Sequence, residues 1–247
     1  IEQHGPHLTL DTDIYNADAI ARAVAKTVKN QRVLVAPPIW WGTSPHHLGF
    51  PGTLSLKNET FTKILVDTIS SLKPHGFYRF VILNGHGGNI GNLTATVSKI
   101  GEGLGISIPA LSYWQSIIDV LVKVGESEIG GMGHACELET SFMLHLRPEL
   151  VHMERVRDDI DFISTPSYYM DWVEGGALVA NPSWYDDSIY GAYGAGSLAT
   201  AEKGAVWLKA AIQEKVKHVA EIHEQQIRRE QRRQNGFGLW GNKKDAQ

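Results

Sequence analysis

The sequence is short of several things, and each shortage excludes a class of protein. It has one cysteine, Cys136, among 247 residues, so an internal disulfide scaffold is impossible and a reducing, cytoplasmic setting fits. Charge of neither sign dominates. Twenty-three basic against 27 acidic residues leave −4 at neutral pH, far from the basic footprint of a dedicated nucleic-acid binder. No apolar run approaches the roughly 18 residues of a membrane-spanning helix. The glycines of the 84–89 loop form neither a GK[ST] phosphate loop nor a GxGxxG turn, and there is no repeat or low-complexity linker. The chain opens at Ile1 rather than methionine and is inside a chemically dense stretch by position 4. The expectation is that a further strand precedes it.

What is present alternates between helical and strand patterns. Ile14, Ala17, Ile20, Ala21 and Val24 line one face of a helix over 14–30, with Asp13 placed to cap it. VLVAPP (33–38) suits a buried strand stopped by prolines. A second helix is capped by Asn58, buries Phe61, Ile64, Leu65 and Ile69, and ends at Gly76. Strands are expected over 77–85 and 106–114, with a glycine-weakened helix between them. A helix from His134 closes before Pro148, residues 150–197 read as irregular, and a long final helix starts near Leu198. This order implies an α/β fold with a mostly parallel sheet covered by helices on both faces. Residues 1–235 read as one domain and 236–247 as a loose tail.

In such sheets, sites form where loops leave the carboxyl ends of strands, and the richest loops lie there. The first runs Glu2-Gln3-His4-Gly5-Pro6-His7 and on to Asp11-Thr12-Asp13. In extended chain, Glu2 and His4 point to the same side, and Asp13 can bring a third ligand toward them. Carboxylates with imidazole and no thiolate suit Zn²⁺, Mn²⁺ or Fe²⁺. A simple helix cap is the other use of Asp13, and His7 and Asp11 are secondary candidates. The second loop, Asn84-Gly85-His86-Gly87-Gly88-Asn89, sets a histidine among glycines at a strand end, a place for metal or substrate contact. The third holds His134, Cys136, Glu137 and Glu139. The dipole of the helix starting there favours a neutral His134 that accepts a proton. Helical spacing lets one of the two glutamates face inward and leaves the other solvated, and Cys136 reads as a small buried residue. The fourth loop, Trp40-Trp41-Gly42-Thr43-Ser44-Pro45-His46-His47, reads as a substrate wall with hydrogen-bonding tips or as a buried subunit contact.

Taken jointly, EQHGPHLTLDTD, HLGFPGT, NGHGGN, HACELETS and GAYGAGSLATAEKG, in this order, resemble the creatininase (creatinine amidohydrolase) family. The resemblance implies a three-layer α/β/α sandwich, a centre of two divalent metal ions and a homohexamer. It also implies hydrolysis of carbon–nitrogen bonds in cyclic amides or formamides, with some relatives trimming peptides. By the same resemblance Glu2 matches a ligand of the first metal, and His4 and His86 match ligands of the second. Asp13 matches the carboxylate bridging both. His134 and Glu139 match residues around the catalytic water and substrate. Ser44 and Trp114 match substrate positions, and His47 and Gly87 complete the expected substrate contacts.

Departures from the family pattern carry information too. Gly87 and Gly88 stand where creatininase has a tyrosine and a metal-binding glutamate, so the first metal lacks a carboxylate. Glu139, or failing it Glu137, is expected to supply one; otherwise the first metal site is expected to be weak. A second pocket tryptophan of creatininase falls near Gly130, which turns the expectation away from creatinine, and the NGHGGN form resembles family members that include formamide deformylases and peptide-maturation enzymes. Two rival classes are a non-hydrolytic isomerase or lyase acting on a sugar-like substrate and a small-molecule binding module that has lost its metals.

Overall fold

The computed structural model describes residues 1–235; the expected tail, 236–247, lies outside the described residues. The first helix, α1 (Thr12–Thr27), turns Ile20 and Val24 into the interior and carries Asp13 and Asn16, also buried, at its front end. Asp13 is inside the first turn, and Asp11 holds the cap position without a side-chain bond, so the carboxylate of Asp13 is free for other partners. Two helices, α2 (Asn58–Leu72) and α3 (Ile90–Leu104), bracket strand β1 (Ile82–Asn84), which pairs in parallel with β2 (Ala110–Ser112). Alternation along β1 builds the layers. Ile82 packs on the α2–α3 side with Phe61, Leu65 and Leu93, while Leu83 packs on the opposite side with Ile20, Trp114 and Trp207. This α/β arrangement puts the carboxyl end of β1, and therefore His86, at the edge of both cores.

The remaining elements supply the opposite layer. Helix α4 (Ile118–Val124), which the sequence pattern did not single out, buries Leu121. Strand β3 (Met132–His134) pairs antiparallel with β4 (Tyr193–Gly194) and runs by a tight turn into α5 (Glu137–Leu146). The last helix, α6 (Ala201–Gln234), is capped by the Thr200 side chain, which accepts from the Lys203 N–H at 3.2 Å.

Two expectations need correction. Residues 33–38 belong to no strand among the described residues, and Leu34 is 69% exposed. The run lies at the surface, where apolar composition alone cannot supply a hydrogen-bonded neighbour. The expected strands 77–85 and 106–114 shorten to three residues each. Tyr78 and Val81 are exposed, and pairing starts only where the Ile82 N–H meets the Pro109 carbonyl at 2.9 Å.

Helix α5 carries site residues and is seated on α6 through Gly204. A Cβ at that position would stand 2.0 Å from the Ser141 carbonyl oxygen, so the backbones touch where any side chain would separate them. Replacing Gly204 by alanine is expected to destabilise the fold by about 1–3 kcal/mol through overpacking. Chemical denaturation with an unchanged midpoint would refute this account of the contact.

Candidate metal centre

The first loop folds back on itself, the Glu2 N–H donating to the Leu10 carbonyl at 2.9 Å, and this turns Glu2 and His4 inward. Both are buried, as are Asp13, His46, His47, His86, His134 and Glu139. The expected four-residue set is brought together. His4 Nε2 is 3.1 Å from Asp13 Oδ1, His86 Nδ1 is 3.2 Å from Asp13 Oδ2, and His86 Nε2 is 3.2 Å from Glu2 Oε2. Asp13 thus faces a histidine with each of its oxygens. His86 stands with Glu2, on the opposite side of Asp13 from His4, rather than sharing a side with His4 as the family pattern implied.

Hydrogen bonds fix how each imidazole is presented. A backbone carbonyl only accepts, so the ring nitrogen facing it carries the proton. His4 Nδ1 donates to Glu2 O at 2.8 Å, which leaves Nε2 toward Asp13. His134 Nε2 donates to Gln3 O at 2.7 Å and leaves Nδ1 at 3.3 Å from Glu2 Oε1. His86 Nε2 lies 3.1 Å from Thr43 O and 2.9 Å from Ser44 Oγ. Anchoring of the far nitrogen on a carbonyl is how proteins orient metal-ligating histidines.

Both Glu2 carboxylate oxygens are buried without a hydrogen-bond donor, and so are His46 Nδ1 and His47 Nδ1. Three groups place one ligand atom each within 4.8 Å of the others: Glu2–His46–His86, Glu2–His47–His134 and His4–His134–Glu139. A buried set of acceptors with so few donors fits a cation. His46 and His47 enter this set as nitrogen ligands, whereas the SPHH run suggested a substrate wall or a buried subunit contact.

The two glutamates of α5 part company. Glu139 joins His4 and His134, with its Oε2 accepting from the Ala135 N–H at 2.6 Å. Ala135 has a φ of 50°, a left-handed conformation that costs an alanine about 1 kcal/mol. That turn aims both His134 and Glu139 at the cluster. Glu137 is not solvated, as expected for the glutamate facing away, nor is it near the cluster. It is fully buried and paired with Lys203 Nζ at 2.6 Å. His134 also lies at the end of β3, before α5 starts at Glu137, so burial, followed by the charges of His4 and His47, is what holds its pKa well below the usual value.

The substrate candidates divide. Ser44 and His47 are in the cluster. Gly87 adjoins it, and a Cβ there would meet the Trp172 ring at 2.2 Å. Trp114 is a core residue, 2% exposed, whose ring packs tilted against Trp172 at 4.6 Å rather than lining the cluster. Trp184 packs directly on His46, His47 and His134 at 4.5, 5.1 and 5.3 Å. Its sequence context is irregular and offered no periodic signal for such a role. His7 bonds Thr140 Oγ1 at 2.9 Å behind the cluster.

Electrostatics ties these groups together. Burial alone pulls His4 and His86 down, but Asp13 and Glu2 outweigh it and raise them to about 10 and about 9. Burial raises Glu2, and it raises Glu139 to about 8, whereas His4 and His86 hold Asp13 well below the carboxylate range despite its burial. At neutral pH, His4 and His86 therefore hold protons where a divalent cation would bind. Cation uptake is expected to release protons, and affinity should weaken as pH falls below about 10 at His4 and about 9 at His86. Titration calorimetry in buffers of different ionisation enthalpy measures the release; a buffer-independent heat would contradict it.

Comparison with known proteins agrees with this geometry. The family model described as creatinine amidohydrolase matches residues 1–219. The 3-dehydro-scyllo-inosose hydrolase of Thermotoga maritima is 32% identical over 244 residues, covering 90% of this chain and 75% of that protein. The mycofactocin precursor peptide peptidase of Mycobacterium ulcerans is 36% identical over 162 residues, covering 63% of this chain; the match spans 58% of the peptidase's length. A solved creatininase, described as a manganese form, superimposes with a TM-score of 0.71 at 27% identity, covering 89% of this chain and 86% of that one. A fold of this kind, matched along most of its length, assigns the chain to the creatininase family.

Proposed function

We propose that the chain is a metal-dependent amidohydrolase that cleaves a carbon–nitrogen bond in a cyclic amide, formamide or related small amide. The observation that carries the reading is the buried convergence of Glu2, His4, Asp13 and His86 with Glu139 beside them. Glu2 and His86 would hold one divalent ion and His4 and Glu139 a second, with Asp13 between them. Zn²⁺, Mn²⁺ and Fe²⁺ all suit carboxylate and imidazole donors. When bound, such ions supply Lewis acidity, polarising an amide carbonyl and lowering the pKa of a water from about 15.7 toward 7.

The chain's own residues supply the rest. His134 has its Nε2 proton tied to the Gln3 carbonyl, so Nδ1 is the atom that takes a proton and passes it to the leaving nitrogen, which cannot depart as an amide anion. Ser44 and His47 adjoin the cluster where the substrate would sit, and Trp184 packs over the imidazoles. Residues 1–235 act as one domain in this reading. The exposed Ile163, Val179 and Ile189 support assembly into a homo-oligomer. The buried free thiol of Cys136 agrees with a cytoplasmic enzyme. No helix among the described residues is long and apolar enough to cross a membrane.

One observation favours a second reading. The relative aligned along 90% of this chain is named for an inosose, not an amide, so hydrolysis of a cyclic polyhydroxy ketone is the alternative. A screen of cyclic amides, formamides, short peptides and a dehydro-inosose, repeated with Mn²⁺, Zn²⁺ and Fe²⁺, separates the two. Amine, ammonia or formate release supports the amidohydrolase; turnover of the inosose alone replaces it.

Variants test the roles. Asp13→Ala is expected to empty both ion positions in elemental analysis. His134→Ala should retain the ions and lose about 10²–10⁴-fold in turnover. Loss of metal from His134→Ala would make it a ligand instead of a proton carrier.

A further inference from the structure

Gln3 lies between Glu2 and His4, yet its side chain faces neither. Its amide is fixed on both sides. Nε2 donates to the Tyr190 carbonyl at 2.8 Å, and Oε1 accepts from the Gly5 N–H at 3.2 Å. A carbonyl accepts only and a backbone N–H donates only, so the amide has a single orientation. The chain around it is shaped to the same end. Gly191 has a φ of 70°, and a Cβ there would stand 2.2 Å from Gln3 Oε1.

The second partner of Oε1 is His47 Nε2, at 3.0 Å. Since Oε1 cannot donate, His47 carries its proton on Nε2 and keeps a lone pair on Nδ1. That nitrogen is buried, has no hydrogen-bond partner, and lies 3.9 Å from Glu2 Oε1. His134, held by the backbone carbonyl of the same Gln3, is turned the same way. Two imidazole lone pairs and one carboxylate oxygen then converge with no hydrogen between them.

We propose that Gln3 is a positioning residue: its side-chain carbonyl locks His47 with the Nδ1 lone pair turned toward the Glu2 carboxylate. The lock keeps a proton off the face of His47 that adjoins the cation position. Without it, His47 can move its proton to Nδ1 and donate to Glu2 Oε1, which engages an oxygen needed for the cation. The proposal rests on the metal-dependent reading for its consequence, but not for the tautomer itself.

The test uses the full chain, stripped with chelator, and long-range proton–nitrogen NMR of the histidine rings. In the wild type, His47 should be protonated on Nε2 and bare on Nδ1; the reverse pattern overturns the proposal with no variant needed. Gln3→Leu, apolar and without an acceptor, should shift the His47 proton to Nδ1 or to a mixture. It should also weaken Mn²⁺ and Zn²⁺ binding about 10–100-fold in chelator competition. Gln3→Glu keeps an acceptor for His47 and should restore the Nε2 tautomer and most of the affinity, which a merely structural residue would not do. Should Gln3→Leu fail to fold, Gln3→Met repeats the removal of the acceptor. Unchanged tautomer and unchanged affinity in a folded acceptor-free variant sink the proposal. A wild type that binds no divalent ion sinks the metal-dependent reading, while the NMR result still decides the lock.

Discussion

Glu2, Asp13 and Glu139 are drawn into one cluster at 1%, 9% and 3% exposure, and most of the local structure can be understood as the means of tolerating that. An ionised carboxylate removed from water costs several kcal/mol unless positive charge and hydrogen bonds compensate it. Within the described protein, the compensation comes from imidazoles placed oxygen by oxygen, His4 and His86 on Asp13 and His86 on Glu2, while His134 turns only a lone pair toward Glu2 Oε1. Each of those rings is in turn tied to a backbone carbonyl, so the histidines cannot rotate away to relieve the strain. The acceptors still outnumber the donors. A divalent cation is the simplest group that satisfies the excess.

Parts of this were legible because the chemistry sits in short loops with little else to do. Glu2, His4 and Asp13 fall within one stretch, and His86 stands among glycines where no packing role competes. Strand–helix alternation was enough for the α/β layers, since Ile82 and Leu83 carry the signal for both faces of β1 in adjacent positions. Long-range pairing was not legible. Glu137 finds Lys203 at a separation of 66 residues, and nothing local distinguishes that buried ion pair from a solvated helix residue. The part played by His46 and His47 was hidden for the same reason, because their partners come from three other segments. Strand lengths failed differently. Residues 33–38 have the composition of a strand, but composition does not specify a neighbour.

The glycine at 88 and the glutamate at 139 belong to one argument. A Cβ at 88 would meet His86 Nε2 and the Thr43 carbonyl, each at 2.5 Å. The loop after β1 therefore closes onto Thr43, and a carboxylate cannot project from it as the family pattern has it. The carboxylate beside His4 arrives from α5 instead, with one oxygen already engaged by the Ala135 N–H. Its position then depends on the left-handed turn at Ala135 and on how α5 is seated against α6. A ligand on a loop can adjust alone, whereas one on a helix moves with the helix. On the metal-dependent reading, metal affinity and fold stability become linked quantities. A change at the α5–α6 contact, remote from any ligand, reaches the His4 side of the centre through Glu139 and leaves the Glu2–His86 side, built on the first loop and β1, largely in place.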